Sequence, residues 1–178
     1  MGALSGNGPF DIDEVDPQDF LDFGVILVPP TPGLQLAPLQ NGEHVVSLRL
    51  QMGTAVADLQ VFAAPKSGGL WDESRVELRE NLARAGVESE YVQTGAGTQL
   101  LVAPSENTAD MPLLIVGYEG PRWLLRVHYI GVAAIDEDER EPLAQIVRQL
   151  VVRRGTNPIA PGDQMALTIP QQVLDAME

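Results

Sequence analysis

From Trp123 to Ile130 the chain alternates with a period of two. Trp123, Leu125, Val127 and Tyr129 fall on one side; Arg122, Leu124, Arg126 and His128 fall on the other. Dense alternation of aromatic and β-branched residues is the pattern of a strand with one buried side. It lies within the stretch from Gly120 to Ile135, and it forces a choice on the rest of the chain. Something must bury the Trp123 side, and something polar must meet the Arg126 side.

The flanking sequence supplies partners of the same kind. His44 to Met52 alternates Val46, Leu48, Leu50 and Met52 with Val45, Ser47, Arg49 and Gln51. Ala55 to Ala63 alternates Ala57, Leu59, Val61 and Ala63 with Asp58, Gln60 and Phe62. Asn41-Gly42 before the first strand and Gly53 between the two suit tight hairpin turns. The segments 87–94, 98–103 and 111–118 read as further strands, and FGVILVPP as a short one stopped by Pro29 and Pro30. Two stretches have helical spacing instead. In KSGGLWDESRVELRENLARAG, Trp71, Ser74, Leu78, Leu82 and Ala85 form the stripe, with Ser67 as the expected N-cap. In the second, Asp136 and Glu139 match a capping box, and Leu143, Ile146, Val147 and Leu150 form the stripe. Pro142 is expected in that helix's first turn.

The connections are too short for parallel crossovers. The expected fold is therefore α+β: a single, mostly antiparallel twisted sheet with two main helices packed on it. Residues 23–170 are expected to form one domain. Residues 1–22 read as an acidic flexible tail and 171–178 as a C-terminal tail. The first of these places Asp11, Asp13, Glu14, Asp16, Asp19 and Asp22 among Phe10, Ile12, Val15, Phe20 and Leu21. Such a mix of acids and hydrophobes can dock on a basic groove, so the tail is expected to cover the edge of the arginine-bearing face and to yield it to a partner's segment.

Charge excludes several functions. The 178 residues carry 25 acids and 11 bases, a formal net charge of −14. A nucleic-acid partner is not expected, because the chain must overcome its own long-range repulsion of a polyanion. Lys66 is the one lysine, and there is no cysteine, so disulfides, thiolate metal sites and cysteine nucleophiles are excluded. No apolar run approaches the ~18 residues that span a bilayer, and nothing resembles a signal peptide. The expectation is a cytoplasmic protein with no membrane insertion.

No motif supplies a catalytic centre. Asp22-Phe23-Gly24 lacks the other kinase elements, and Gly95-Ala96-Gly97 lacks the third glycine and helix of a dinucleotide site. His44 and His128 have no ligand-spaced neighbours, so neither a metal nor a cofactor is expected. One constellation remains. If the hairpin and the Trp123 strand share a sheet, Arg49, Asp58, Gln60, Arg122, Arg126 and His128 line one face. They could pair across strands, or form a platform for a carboxylate-bearing ligand or an acidic segment. With so thin an acid–base inventory, the expected function is non-enzymatic: an interaction or adaptor-like module for a protein partner. The alternative is a small-molecule-binding protein or a hydrolase-type enzyme with its site on that face.

The blocks DIDEVDP, PGLQL, FAAPKSGGLWDESR, GPRWLLRVHYIGVAA and LVVRRG with NPIAPGDQMALTIP occur in this order. Together they resemble an actinobacterial family of unknown function, over nearly the whole chain from Asp11 to Pro170. That resemblance implies no activity and carries over no catalytic residue. The order of elements is also similar to the PsbP-like α/β/α sandwich and to secretion-chaperone folds, which implies a binding role at the level of fold alone.

Overall fold

A computed structural model describes residues 7–177; the first six residues of the expected tail and Glu178 lie outside the described residues. The strands are β1 (Phe10–Asp11), β2 (Leu21–Asp22), β3 (Ile26–Val28), β4 (Gln35–Asn41), β5 (His44–Met52) and β6 (Ala55–Ala63). Helix α1 (Leu70–Arg84) precedes β7 (Ser89–Thr94), β8 (Gly97–Val102), β9 (Leu113–Gly120) and β10 (Trp123–Ile130). Then come α2 (Val132–Ile135), α3 (Glu137–Val147), β11 (Val151–Val152) and α4 (Gln171–Met177).

The fold is α+β, but it has two sheets where the sequence suggested one. Seven strands form the main antiparallel sheet in the order β4-β5-β6-β10-β9-β8-β7. The alternating stretch β10 sits at its centre, bonded to β6 on one side and β9 on the other. A second sheet, ordered β1-β11-β3-β2, is antiparallel except for β1 beside β11. The short FGVILVPP strand belongs to this second sheet. All three residues of β3 are buried, and the prolines that follow cannot extend a ladder.

One side of the main sheet carries the principal core. Trp123, Leu125, Val127 and Tyr129 pack with Leu48, Leu50, Leu59 and Val61, beneath α2, α3 and the second sheet. The other side is covered as well, which the alternation of β10 does not reveal. Along one row, Arg49, Asp58 and His128 continue into Ile115, Leu100 and Tyr91. This face is therefore polar over β5–β6 and apolar over β8–β9, and α1 lies on the apolar half. Trp71, Leu100, Val102, Ile115 and Leu124 form that second core, with Leu78 and Leu82 partly buried against it.

Both tryptophans rest on glycines of β9. A Cβ at Gly117 would sit 2.5 Å from Cγ of Trp71, and one at Gly120 would sit 2.7 Å from Cη2 of Trp123. The start of α1 is also held by β9. Its N-cap is Gly69 at φ +84, with no side chain to cap it, and not Ser67 as the sequence suggested. Instead Glu119 accepts from the Trp71 backbone N–H at 2.6 Å and from that of Gly69 at 2.9 Å. A carboxylate there satisfies orphan donors and complements the helix dipole.

Three further expectations change. The stretch after Ile130 leaves the strand at Gly131 (φ +74) and forms α2. In α3, Asp136 caps the Asp138 and Glu139 N–H groups, but the Glu139 carboxylate accepts from Thr54 Oγ1 at 3.0 Å and does not close the expected capping box, and Pro142 lies inside the helix and not in its first turn. The segment expected as a free acidic tail is packed from Phe10 onward. Phe10 joins Leu27 and Val151 in a small cluster on the outer side of the second sheet, with Ile12, Val15 and Phe20 against it. Asp11 is buried and accepts from the Trp123 indole N–H at 2.8 Å. The hydrophobes interleaved with the acids thus find apolar partners, and the acids face outward or cap. The segment does not lie along the Arg49–Arg126 face.

The Pro-rich arm inserts where β5 and β6 splay apart beyond Leu48 and Leu59. Met165 N–H donates to Val61 O and Leu167 N–H to Val45 O, each at 2.8 Å, and both side chains are buried.

Candidate functional site

Two concavities among the described residues matter for function, and one of them contains a candidate site residue from the sequence, Arg126.

The β5–β6–β10 register places the expected polar residues opposite one another: Arg49 faces Asp58, Asp58 faces His128, and Gln60 faces Arg126. Arg49 takes the whole of Asp58, with Nε to Oδ1 at 2.8 Å and Nη2 to Oδ2 at 3.0 Å. This bidentate bond holds the Arg49 guanidinium above its usual pKa. His128 is left without a carboxylate. Its Nε2 is sealed from solvent and has no hydrogen-bond partner among the described residues. Burial, with Arg126 adding repulsion, pushes its pKa down to about 3, so the imidazole is neutral across the range where a histidine base works. Arg122 does not join this row. It sits at φ +64, exposed, in the turn between β9 and β10.

Arg126 is the unusual member. Its guanidinium lies 4.6 Å from the Phe62 ring centroid, and Nη2 donates to Gln60 Oε1 at 3.3 Å. Nε is buried with no partner among the described residues, and burial alone lowers the pKa to about 10. Beside it, between α1 and the sheet, is a cavity of about 250 Å³ bordered by Phe62, Leu70, Leu78, Ser74 and Glu77.

The larger concavity, about 680 Å³, is on the opposite side of the sheet. Its floor is Leu114 and Val116 of β9; its walls are α3, the 94–96 turn and the backbone of residues 7–9. Tyr118, Tyr129, Glu137, Arg140, Glu141 and Arg148 converge on it. Arg148 Nη2 and Glu141 Oε1 are paired at 2.6 Å. Arg140 donates to the Ala133 and Ala134 carbonyls at the end of α2 and lies 5.7 Å from the Tyr129 ring. Burial raises the pKa of both phenols against the opposing pull of the two arginines, so both remain hydrogen-bonding hydroxyls at neutral pH. The sequence reading missed this cleft because the acids of α3 look like a solvated helix start. The available signal was Glu141 and Arg148, seven residues apart and so about two turns along one helix face.

Among the described residues there is no group of three or more His, Asp or Glu side chains placed to hold a metal ion. No helix among them is long and apolar enough to cross a membrane. No curated protein matches the chain. A family description, "Protein of unknown function (DUF3710)", matches residues 8–176. That match covers both sheets and, Asn7 apart, the lining of both concavities, and the chain belongs to this family.

Proposed function

We propose that this protein is a non-enzymatic, cytoplasmic binding module whose larger cleft takes an extended, mixed-charge segment of a partner protein. The observation carrying this reading is the cleft's lining: an apolar floor, two neutral phenols, and both signs of charge side by side on α3. Such a surface matches a peptide carrying a hydrophobic anchor flanked by charges of each sign, the pattern of a polar rim about an apolar centre. The reading is further supported by the state of the polar sheet residues. Asp58 is consumed by Arg49, and His128 beside it is held neutral, its Nε2 without a hydrogen-bond partner among the described residues.

The test is selection of peptides from a random display library on the wild-type protein. Arg148→Glu and Glu141→Arg should each weaken the selected peptides at least tenfold, and the charge-swapped double variant should recover part of that loss. Selected peptides that bind all three variants as well as wild type would refute the assignment of the cleft.

A further inference from the structure

The cavity under α1 has a different chemistry and is independent of the cleft. A buried guanidinium normally has a carboxylate beside it, because an unpaired charge out of water is costly. The ion pairs among the described residues are Arg49–Asp58, Arg75–Asp72, Arg148–Glu141 and Arg153–Asp22. Arg126 is in none of them, although it is more deeply placed than Arg49, which has a full bidentate partner. What holds Arg126 is the Phe62 ring and one long bond to Gln60. Stacking holds the guanidinium against Phe62, Nε has no partner among the described residues, and Arg126 borders the opening under α1. Fixed planar donors without a counter-ion are suited to recognising a planar anion.

We propose that this cavity binds a small organic monocarboxylate, its carboxylate on the Arg126 guanidinium and its apolar body against Phe62, Leu70 and Leu78. Three features select that class. At about 250 Å³ the cavity is smaller than the ~300–1,000 Å³ typical of drug-sized ligands. Its apolar walls favour a carbon skeleton over a bare inorganic ion. Glu77 at the border adds one negative charge, which disfavours a dianion such as phosphate more than a single carboxylate. Burial has already driven the Arg126 pKa down to about 10, which is the sign of a cation without its partner. A bound carboxylate would supply the missing charge.

The experiment follows the side-chain Nε–H resonances of arginine in the full chain during titration with benzoate, benzamide and inorganic phosphate. Benzoate should shift one buried Nε–H signal saturably, and benzamide and phosphate should bind at least tenfold more weakly. Arg126→Met should abolish that signal and the binding. Ser74→Phe, which fills the cavity from α1 and leaves Arg126 in place, should keep the signal but lose the benzoate response. Tryptophan fluorescence of each variant checks the fold. Equal binding of benzamide, tighter binding of phosphate, or benzoate binding that survives either substitution would overturn the proposal.

Discussion

Gly117→Ala is the sharpest perturbation of the second core, because two effects of opposite sign compete at one methyl group. Gly117 lies in β9, and its φ is not among the positive values. Replacing a strand glycine by alanine therefore removes unfolded-state freedom and alone would stabilise by roughly 0.5–1 kcal/mol. Packing opposes this. The new methyl would lie 2.5 Å from Cγ of Trp71, whereas carbons rest at about 3.5–4.0 Å. The indole must therefore retreat by roughly 1 Å. That retreat strains the indole N–H bond to Thr98 O at 3.0 Å, itself worth about 0.5–1.5 kcal/mol. Overpacking of a tight site adds about 1–3 kcal/mol. The expected net loss is about 1–3 kcal/mol, read by urea unfolding. Trp71→Ala alone should cost about 3–5 kcal/mol by opening a cavity. In that background Gly117→Ala should be neutral or stabilising, since its methyl then partly fills the space. A coupling of at least about 1 kcal/mol should appear in the double-mutant cycle. Strict additivity would show that Trp71 does not rest on Gly117 and that α1 docks differently.

Two further outcomes follow from the same elements. Glu119→Gln keeps the shape but removes the charge that faces the first N–H groups of α1, and should cost about 1–2 kcal/mol with a matching loss of helical signal; unchanged stability would deny the capping role. His128 refuses a proton until about pH 3, whereas the unfolded chain takes one near its ordinary value of about 6.5. Its contribution to stability is thus complete above about pH 6.5 and is lost as pH falls towards 3, with a slope of at most about 1.4 kcal/mol per pH unit. His128→Gln should flatten the pH dependence over that window relative to wild type, and identical profiles would refute burial of the neutral imidazole.

Strand-by-strand reading recovers what each strand encodes locally and misses what distant segments bring. Trp123, Leu125, Val127 and Tyr129 announce their buried side by alternation, and all four are buried. The glycines at 42 and 53 mark turns and adopt positive φ there. Yet β10 carries no sign that Arg126 and His128 would be covered. That depends on Ile115, Leu100 and Val102 turning the far half of the same face apolar, which draws α1 onto it. The Pro-rich arm has no period at all. Its place between β5 and β6 is set by backbone bonds and two anchors, Met165 and Leu167. Asp11 read as part of an acid run because its partner, Trp123, lies 112 residues away.

The disposition of the arginines ties these observations to function. In a chain of net charge −14, cations are never short of carboxylates, so an arginine without one reflects where the fold has put it. Arg148 and Arg153 each find an acid, and Arg140 and Arg154 donate to backbone carbonyls. Those contacts are tethers, joining α3 to α2, closing the second sheet and fixing the exit of β11. Arg126 tethers nothing that Phe62 would not hold by packing alone. A methionine of similar length would fill the same space without the cost of burying a charge. A cation there is a cost to stability, and the proposed recognition of an anion would account for it. The acidic surface around it adds selectivity: it repels polyanions at long range, while a single small carboxylate meets only weak, largely screened repulsion before reaching the cavity. In the proposed site, bulk charge would exclude large anions while the buried Arg126 guanidinium, which has no carboxylate partner among the described residues, would hold small ones.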